Sequence, residues 1–375
     1  MEFTIHHQVL LLVFVVALLL GAVANRTNFC TMGAVSDWVN MGDTGRMRAW
    51  LLSMAVALGG VLILEATSTL NLNTTTFPPY RTTNFAWLRY VIGGLMFGIG
   101  MTFASGCGNK TMVRIGAGNL KSLVVLVIAA IASYMMLWTS LFEKAFNPWI
   151  SATTIDLAAL GFRGQELAAI FGGMAGVEDI ARLHVILGTL IVLALLLFAF
   201  RSAEFRSSSD NILGGVAVGL AVVAGWYITG GPMGAAWKEF AELADELPSR
   251  VQVQSFTFIS PMGDTVRFLM EPTNLSLVNF GVVALSGVIL GSLCYAVLTG
   301  GFRVEWFASM SDFANHAIGA ALMGFGGALA MGCTVGQAIT GVSTLAFGSI
   351  LTFVSIVAGA AGTMKFQYWR LMREA

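Results

Sequence analysis

The stretch FGIGMTFASGCGNK, residues 97–110, decides how the rest of the chain is read. It opens as an apolar helix punctuated by glycine, runs through Ala104, Ser105 and Gly106 to a lone thiol at Cys107, and turns polar at Asn109 and Lys110. The same grammar returns in MGFGGALAMGC, residues 323–333. Superposed, Gly98, Gly100, Gly106 and Cys107 fall on Gly324, Gly326, Gly332 and Cys333. Glycines so spaced let helix backbones approach closely in lipid. The segment after each thiol is too short to cross a bilayer, too polar for an ordinary span and too apolar for a plain loop.

Composition agrees with a membrane setting. Of 375 residues, 57% are hydrophobic and only 11% charged, against roughly 25% charged in soluble domains. Runs such as 9–24, 122–138 and 183–200 approach the ~20 residues that cross a hydrocarbon core. The formal net charge of +0 gives no footing for a nucleic-acid partner. The four cysteines form no CxxC pair and no Cys/His cluster with metal spacing, which argues against a disulfide scaffold, a zinc site or any cofactor. LLLGAVAN, residues 18–25, resembles a signal-peptidase site. The preceding MEFTIHHQ has no Lys or Arg, so 9–24 is read as a retained first span.

The expected fold is an all-α polytopic membrane protein with nine spans, near 9–24, 47–66, 88–105, 119–141, 183–200, 211–228, 275–299, 315–331 and 343–365. Segments 31–42, 108–116 and 334–342 are read as short re-entrant helices, since irregular backbone at membrane depth must be satisfied by protein or a water-filled cavity. With the N-terminus outside and the C-terminus inside, the cytoplasmic side collects most of the Lys and Arg, including Arg26, Arg46, Arg48, Lys121 and Arg303. Two four-span repeats emerge. Repeat one lies within 1–141, a linking region occupies 142–210, and repeat two lies within 211–375. Five crossings precede the second repeat, so the two are inverted, a pattern common in transporters.

The segments NFCTMGAVSDW, FGIGMTFASGCGNKTMVRIGAGNLKSLVV and MGFGGALAMGCTVGQAITGVSTLAFGSIL resemble the YeeE/YedE family of bacterial sulfur transporters, over most of the chain. The resemblance implies an inner-membrane, multi-pass protein that imports thiosulfate along a narrow path touched by Cys30, Cys107 and Cys333. It also implies a small cytoplasmic sulfur-carrier protein as partner, beside the lipid bilayer itself. The long segments 142–182 and 229–274 and the pair Asn109–Lys110 depart from the pattern.

The residues make chemical sense of that implication. Thiosulfate is a dianion with a soft terminal sulfur, and passage needs several weak contacts rather than one trap. A neutral thiol offers a weak S–H donor and a polarisable sulfur. Helices starting after Cys107 and Cys333 would aim free N–H groups at the ion. A thiolate would repel it, so the working state is the thiol. In this reading Gly106 and Gly332 let the backbone turn. Cys30, beside Asn28, marks the cytoplasmic exit. Lys110 and Arg114 are either positive-inside anchors or groups that draw the ion at the inner mouth. Thr334 and Gln337 are candidate donors at the outer mouth. Trp226, placed opposite Cys30 in the second repeat, either narrows the outer vestibule or belongs to an interfacial tryptophan belt. Cys294, with no repeat partner, is read as a small buried apolar residue. Glu65 and His184 are read as interfacial groups, and His316 as structural.

The leading function is therefore thiosulfate import by relayed thiol contacts, with no catalytic residue and no enzyme activity. The alternatives are import of another sulfur or selenium species, or a membrane-embedded sulfurtransferase, which would need an activated thiolate and an acceptor dithiol. Bringing a dianion into a negative interior is uphill by about 2.3 kcal/mol per charge per 100 mV, and no intramembrane carboxylate pair suggests how this is offset.

Overall fold

The protein is described by a computed structural model over residues 4–72, 76–244 and 248–374. Positions 1–3, 73–75, 245–247 and 375, which fall inside the expected regions, lie outside the described residues. The N-terminal part contains α1 (Ile5–Thr27), α2 (Thr31–Ser36), α3 (Gly45–Ala66), α4 (Trp87–Phe103), α5 (Gly108–Gly116) and α6 (Leu120–Trp138). The linking region contains α7 (Asn147–Thr153), α8 (Leu167–Ala175), α9 (Ile180–Phe200) and α10 (Ala203–Ser207). Then come α11 (Ser209–Gly230), α12 (Pro232–Leu243), α13 (Ile259–Met270), α14 (Phe280–Leu298), α15 (Met310–Leu329) and α16 (Phe347–Glu374). A π-helical turn, Thr334–Gly341, separates the last two.

Among the described residues, nine stretches are long and apolar enough to cross a membrane, and they coincide with the nine expected spans. Helix is the natural solution, because a chain in hydrocarbon must satisfy its own backbone groups. The faces turned away from the protein are apolar too. Leu190, Leu193 and Leu197 on α9, Leu123, Val127 and Ile131 on α6, and Leu11, Leu12 and Leu19 on α1 are exposed. Apolar surface on that scale needs a lipid surround. The chain is a multi-pass membrane protein.

α4 is the centre of the bundle because its glycines admit neighbours on both sides. A Cβ on Gly93 would lie 2.6 Å from the Ala330 nitrogen, and one on Gly100 would lie 2.6 Å from the Gly319 carbonyl oxygen, so α15 presses on that face. On the other face a Cβ on Gly98 would collide with the Ile356 carbonyl oxygen of α16. The motif-matched Gly324 of α15 meets α6 in the same way, 2.5 Å from the Ala129 carbonyl oxygen. α1 packs on α14 and α3 on α11 through further close approaches at Gly21, Gly291, Gly215 and Gly219. α9 lies outside, against α3.

The loops gather at two ends. At one, Arg303 N donates to the Ala117 carbonyl at 2.9 Å, Leu120 N to the Glu305 carbonyl at 3.0 Å, and Lys121 pairs with Asp312 at 2.8 Å. At the other, β1 (Asn84–Phe85) pairs antiparallel with β2 (Ile155–Asp156), with Asn84 opposite Asp156. There too Gln165 N bonds the Thr82 carbonyl, and Phe347 N the Gln165 carbonyl. The long segment 229–274 does more than cover this end. Its stretch Ser255–Asp264 is buried throughout, where α13 packs on α6 and α14.

Candidate functional site

Each of the three candidate cysteines begins a short helix. Cys30 is the N-cap of α2, Cys107 of α5, and Cys333 of the π-helical turn, all with extended backbone. Two residues upstream, each has a residue in the left-handed region: Asn28 (φ 51°), Ser105 (φ 55°) and Met331 (φ 59°). The chain thus ends a long helix, passes through one left-handed residue, and restarts at the sulfur, three times.

The turn is not made by the glycines that were expected to make it. At the end of α4, Gly106 N bonds the Met101 carbonyl and Ser105 N the Thr102 carbonyl. Gly332 N to Gly327 and Met331 N to Ala328 repeat that pattern after α15. This is the paired bonding that closes many helices, with glycine as the usual left-handed residue. Here Ser105 and Met331 hold that position, at a cost of about 1–2 kcal/mol each. Gly106 and Gly332 keep ordinary φ. They sit instead against side chains, with a Cβ at 106 meeting Lys110 at 3.5 Å and one at 332 meeting Gln337 at 3.1 Å.

The sulfurs are buried, with Cys107 and Cys333 at 0% exposure and Cys30 at 4%. Cys30 and Cys107 touch each other through their side chains. Thr31 Oγ1 donates to Cys107 Sγ at 4.0 Å, and the Lys110 backbone and the Thr334 side chain stand close to the same sulfur. Gly33 N lies 3.4 Å from Cys30 Sγ, and Gly336 N 3.5 Å from Cys333 Sγ. The Phe258 N–H, at the start of α13, also faces Cys333. Around these sulfurs several oxygens are left over. Asn109 Oδ1, Thr334 Oγ1 and Thr257 Oγ1 are buried with no nitrogen or oxygen partner among the described residues. Native interiors hold few such atoms. Three in one neighbourhood mark a place where something else supplies the partner.

The other candidates fall into two groups. Lys110 Nζ donates to Asn28 Oδ1 at 2.8 Å, joining α5 to the end of α1, and Arg114 Nη1 donates to the Ser105 carbonyl at 2.8 Å. Arg46 stands with them, its Nη1 filling the space a Cβ on Gly33 would need and its Nε 2.6 Å from Asp37 Oδ2. Near Cys333, Gln337 Nε2 donates to the Ala330 carbonyl at 2.6 Å, and its Oε1 accepts from Ser349 at 2.7 Å. Tyr80 donates to the Gly336 carbonyl at 2.6 Å. Burial, with Cys333 nearby, pushes the Tyr80 phenol well above its ordinary ionisation, so it stays a donor.

Three readings of single residues need correction. Trp226 is fully buried, edge-on to Tyr80, and donates to Ser343 Oγ at 3.2 Å, so it is no belt tryptophan. Cys294 is exposed on α14, not buried, because the glycines of that helix take the packed face. Glu65 and His184 belong to a buried ion cluster rather than to an open interface. Arg81 Nη1 lies 2.7 Å from Glu65 Oε1 and its Nε 3.4 Å from Glu166 Oε2, while His184 contacts both carboxylates. The cluster borders a cavity of about 770 Å³ also lined by Arg163 and Asn71. Sequence reasoning missed Thr257 and Phe258, which stand in no recognisable motif. It also passed over Thr31, although Cys-Thr-x-Gly at 30–33 recurs at 333–336.

Comparison with known proteins is consistent over nearly the whole chain. The thiosulfate transporter TsuA of Escherichia coli strain K12 is 24% identical, the match covering 95% of this chain and 94% of that protein. The thiosulfate transporter TsuA of Spirochaeta thermophila is 22% identical, covering 92% and 94%. The family model described as sulphur transport matches residues 26–362, a range that holds all three capped thiols. The chain belongs to that family, the YeeE/YedE family of bacterial sulphur transporters.

Proposed function

We propose that this protein imports thiosulfate through the region of Cys30, Cys107 and Cys333, the ion's terminal sulfur passing from thiol to thiol. The observation that carries this reading is the triple recurrence of a buried cysteine at the N-cap of a short helix, with unpartnered oxygens beside the sulfurs. Free N–H groups supply the positive field that an anion needs without a fixed charge to hold it.

The matched contacts of Gly98 with α16 and Gly324 with α6 support an inverted repeat, as does the packing of α1 on α14 beside that of α11 on α3. On this reading α5 and the turn Thr334–Gly341 are re-entrant pieces meeting between the halves. The N-terminus faces the periplasm, Cys333 takes the ion first, and Cys30 releases it past Asn28, Lys110, Arg114 and Arg46 to a small cytoplasmic sulfur carrier. The counterpart of Cys30 in the second half is Phe258, at the head of α13, rather than Trp226.

The test is labelled thiosulfate uptake in cells stripped of other importers, with each of Cys30, Cys107 and Cys333 changed to Ala. Loss of uptake with normal membrane levels supports the path; full uptake in all three removes it. The contact between Cys30 and Cys107 favours one second reading, transfer of the terminal sulfur of thiosulfate onto a cysteine, which forms a persulfide as the bond to the sulfonate sulfur breaks and sulfite leaves. A chain that carries an added sulfur by mass after thiosulfate exposure would decide for transfer, and an unchanged mass decides for passage.

A further inference from the structure

Thr31 and Thr334 occupy one place in two copies of the motif Cys-Thr-x-Gly. In each copy the glycine N–H turns back on its own cysteine sulfur, at 3.4 and 3.5 Å. The threonine side chain is left to face elsewhere, and both stand beside Cys107. Thr31 Oγ1 lies 4.0 Å from Cys107 Sγ and donates to it, and the Thr334 side chain stands beside that sulfur without bonding to it. Both residues are buried, and Thr334 Oγ1 has no nitrogen or oxygen partner. A buried hydroxyl without such a partner is costly in an interior and is retained where a ligand completes it.

Thiosulfate has two unlike ends. The terminal sulfur is soft and suits a thiol, while the three oxygens are hard acceptors that want O–H or N–H donors. A thiol alone reads only one end. We propose that Thr31 and Thr334 are the oxygen-binding residues of a station centred on Cys107, so that one site grips both ends of the ion. This rests on the thiosulfate reading and adds selectivity to it. Sulfate offers oxygens but no soft sulfur, and hydrosulfide offers sulfur but no oxygens, so each satisfies half the station. Thr257 Oγ1, unpartnered against Gly336, stands where a similar contact would serve Cys333.

The experiment measures thiosulfate uptake into proteoliposomes holding purified Thr31→Val, Thr334→Val, Thr31→Ser, Thr334→Ser or Cys107→Ala protein. Each Val variant is expected to raise the KM about tenfold, the worth of one lost hydrogen bond to an anion. Each Ser variant, which keeps the hydroxyl, should stay within about threefold of the parent. The melting temperature of Thr334→Val should be unchanged or higher, since a methyl replaces an unpartnered hydroxyl. Val variants that transport like the parent, while Cys107→Ala fails, overturn this assignment and leave the thiol path standing. Val and Ser variants that fail alike overturn it also, because shape rather than the hydroxyl is then what matters. Undiminished uptake by Cys107→Ala overturns the path and the station together.

Discussion

Arg81 and Cys107 are both buried polar residues, and their surroundings treat them in opposite ways. Arg81 is saturated. Its guanidinium meets Glu65 and Glu166, its Nε donates to the Thr344 carbonyl at 3.1 Å, and His184 closes the ring between the two carboxylates. Around Cys107 the polar groups outnumber their partners, and the residue that begins each Cys-Thr-x-Gly turn is a weak donor rather than a charge. A charge-paired cluster holds elements in place. The unsaturated one leaves polar atoms that the described residues do not partner. Glu166 also bridges to Ala346, just beyond the turn that Cys333 caps, so the first region steadies the frame in which the second works.

That contrast is broken most severely at Arg81. Arg81→Ala leaves the Glu65 and Glu166 carboxylates with His184 as their counter-charge, and removing one member of a buried ion group typically costs about 3–5 kcal/mol. Thermal unfolding in detergent should show a large drop, with uptake per folded molecule reduced much less. A variant of parental stability would mean that the cluster is solvated, and the contrast would fall.

The thiols come next. Cys107→Ala should lower thiosulfate uptake by about 10–100-fold, the worth of a contact to a charged group, with Cys333→Ala and Cys30→Ala in the same direction. Stability should hardly move, since an Ala fills most of the space of a small thiol. This is the mirror image of Arg81→Ala, and equal losses of uptake and stability in both would erase the distinction.

Much of this was legible in the sequence, for a definite reason. Spans announce themselves because lipid demands about twenty apolar residues in a row, and the Gly98/Gly324 match announces close helix packing because nothing larger fits. The capped thiols were legible through their glycines, although the turn itself falls on Ser105 and Met331. The Arg81 cluster was not. Its members come from α3, from the loop after it, from the approach to α8 and from α9, and no spacing rule links residues 65, 81, 166 and 184. Thr257 and Phe258 hid for the same reason. They reach Cys333 from a long segment that composition alone marks as an outer loop.

A smaller perturbation acts on position rather than chemistry. Gly98→Ala drives a methyl into the Ile356 carbonyl oxygen, so α4 must shift from α16. Overpacking of this kind costs about 1–3 kcal/mol. Because α4 leads into the turn before Cys107, and α16 packs on the turn that Cys333 caps, uptake per folded molecule should fall as well. Gly324→Ala, which meets α6 by the same geometry, should cost a similar amount. Unequal costs would weaken the inverted repeat, whereas lost stability with intact uptake would show that the thiols tolerate a shifted frame.

The smallest effect belongs to Cys294. It faces outward on α14 and is the exposed cysteine among the four. A thiol in that position has no neighbour in the buried station, and Cys294→Ala should leave both uptake and melting temperature at parental values. A membrane-permeant maleimide should therefore modify the parent quickly at Cys294 without reducing transport. Modification of Cys107 should be slow, because its sulfur is wholly buried, and each increment of it should remove transport in proportion. Thiosulfate present during labelling should protect Cys107 and leave Cys294 untouched. Protection of Cys294 instead would put the ion on the lipid-facing side of α14, where none of the thiol-capped helix starts could help it.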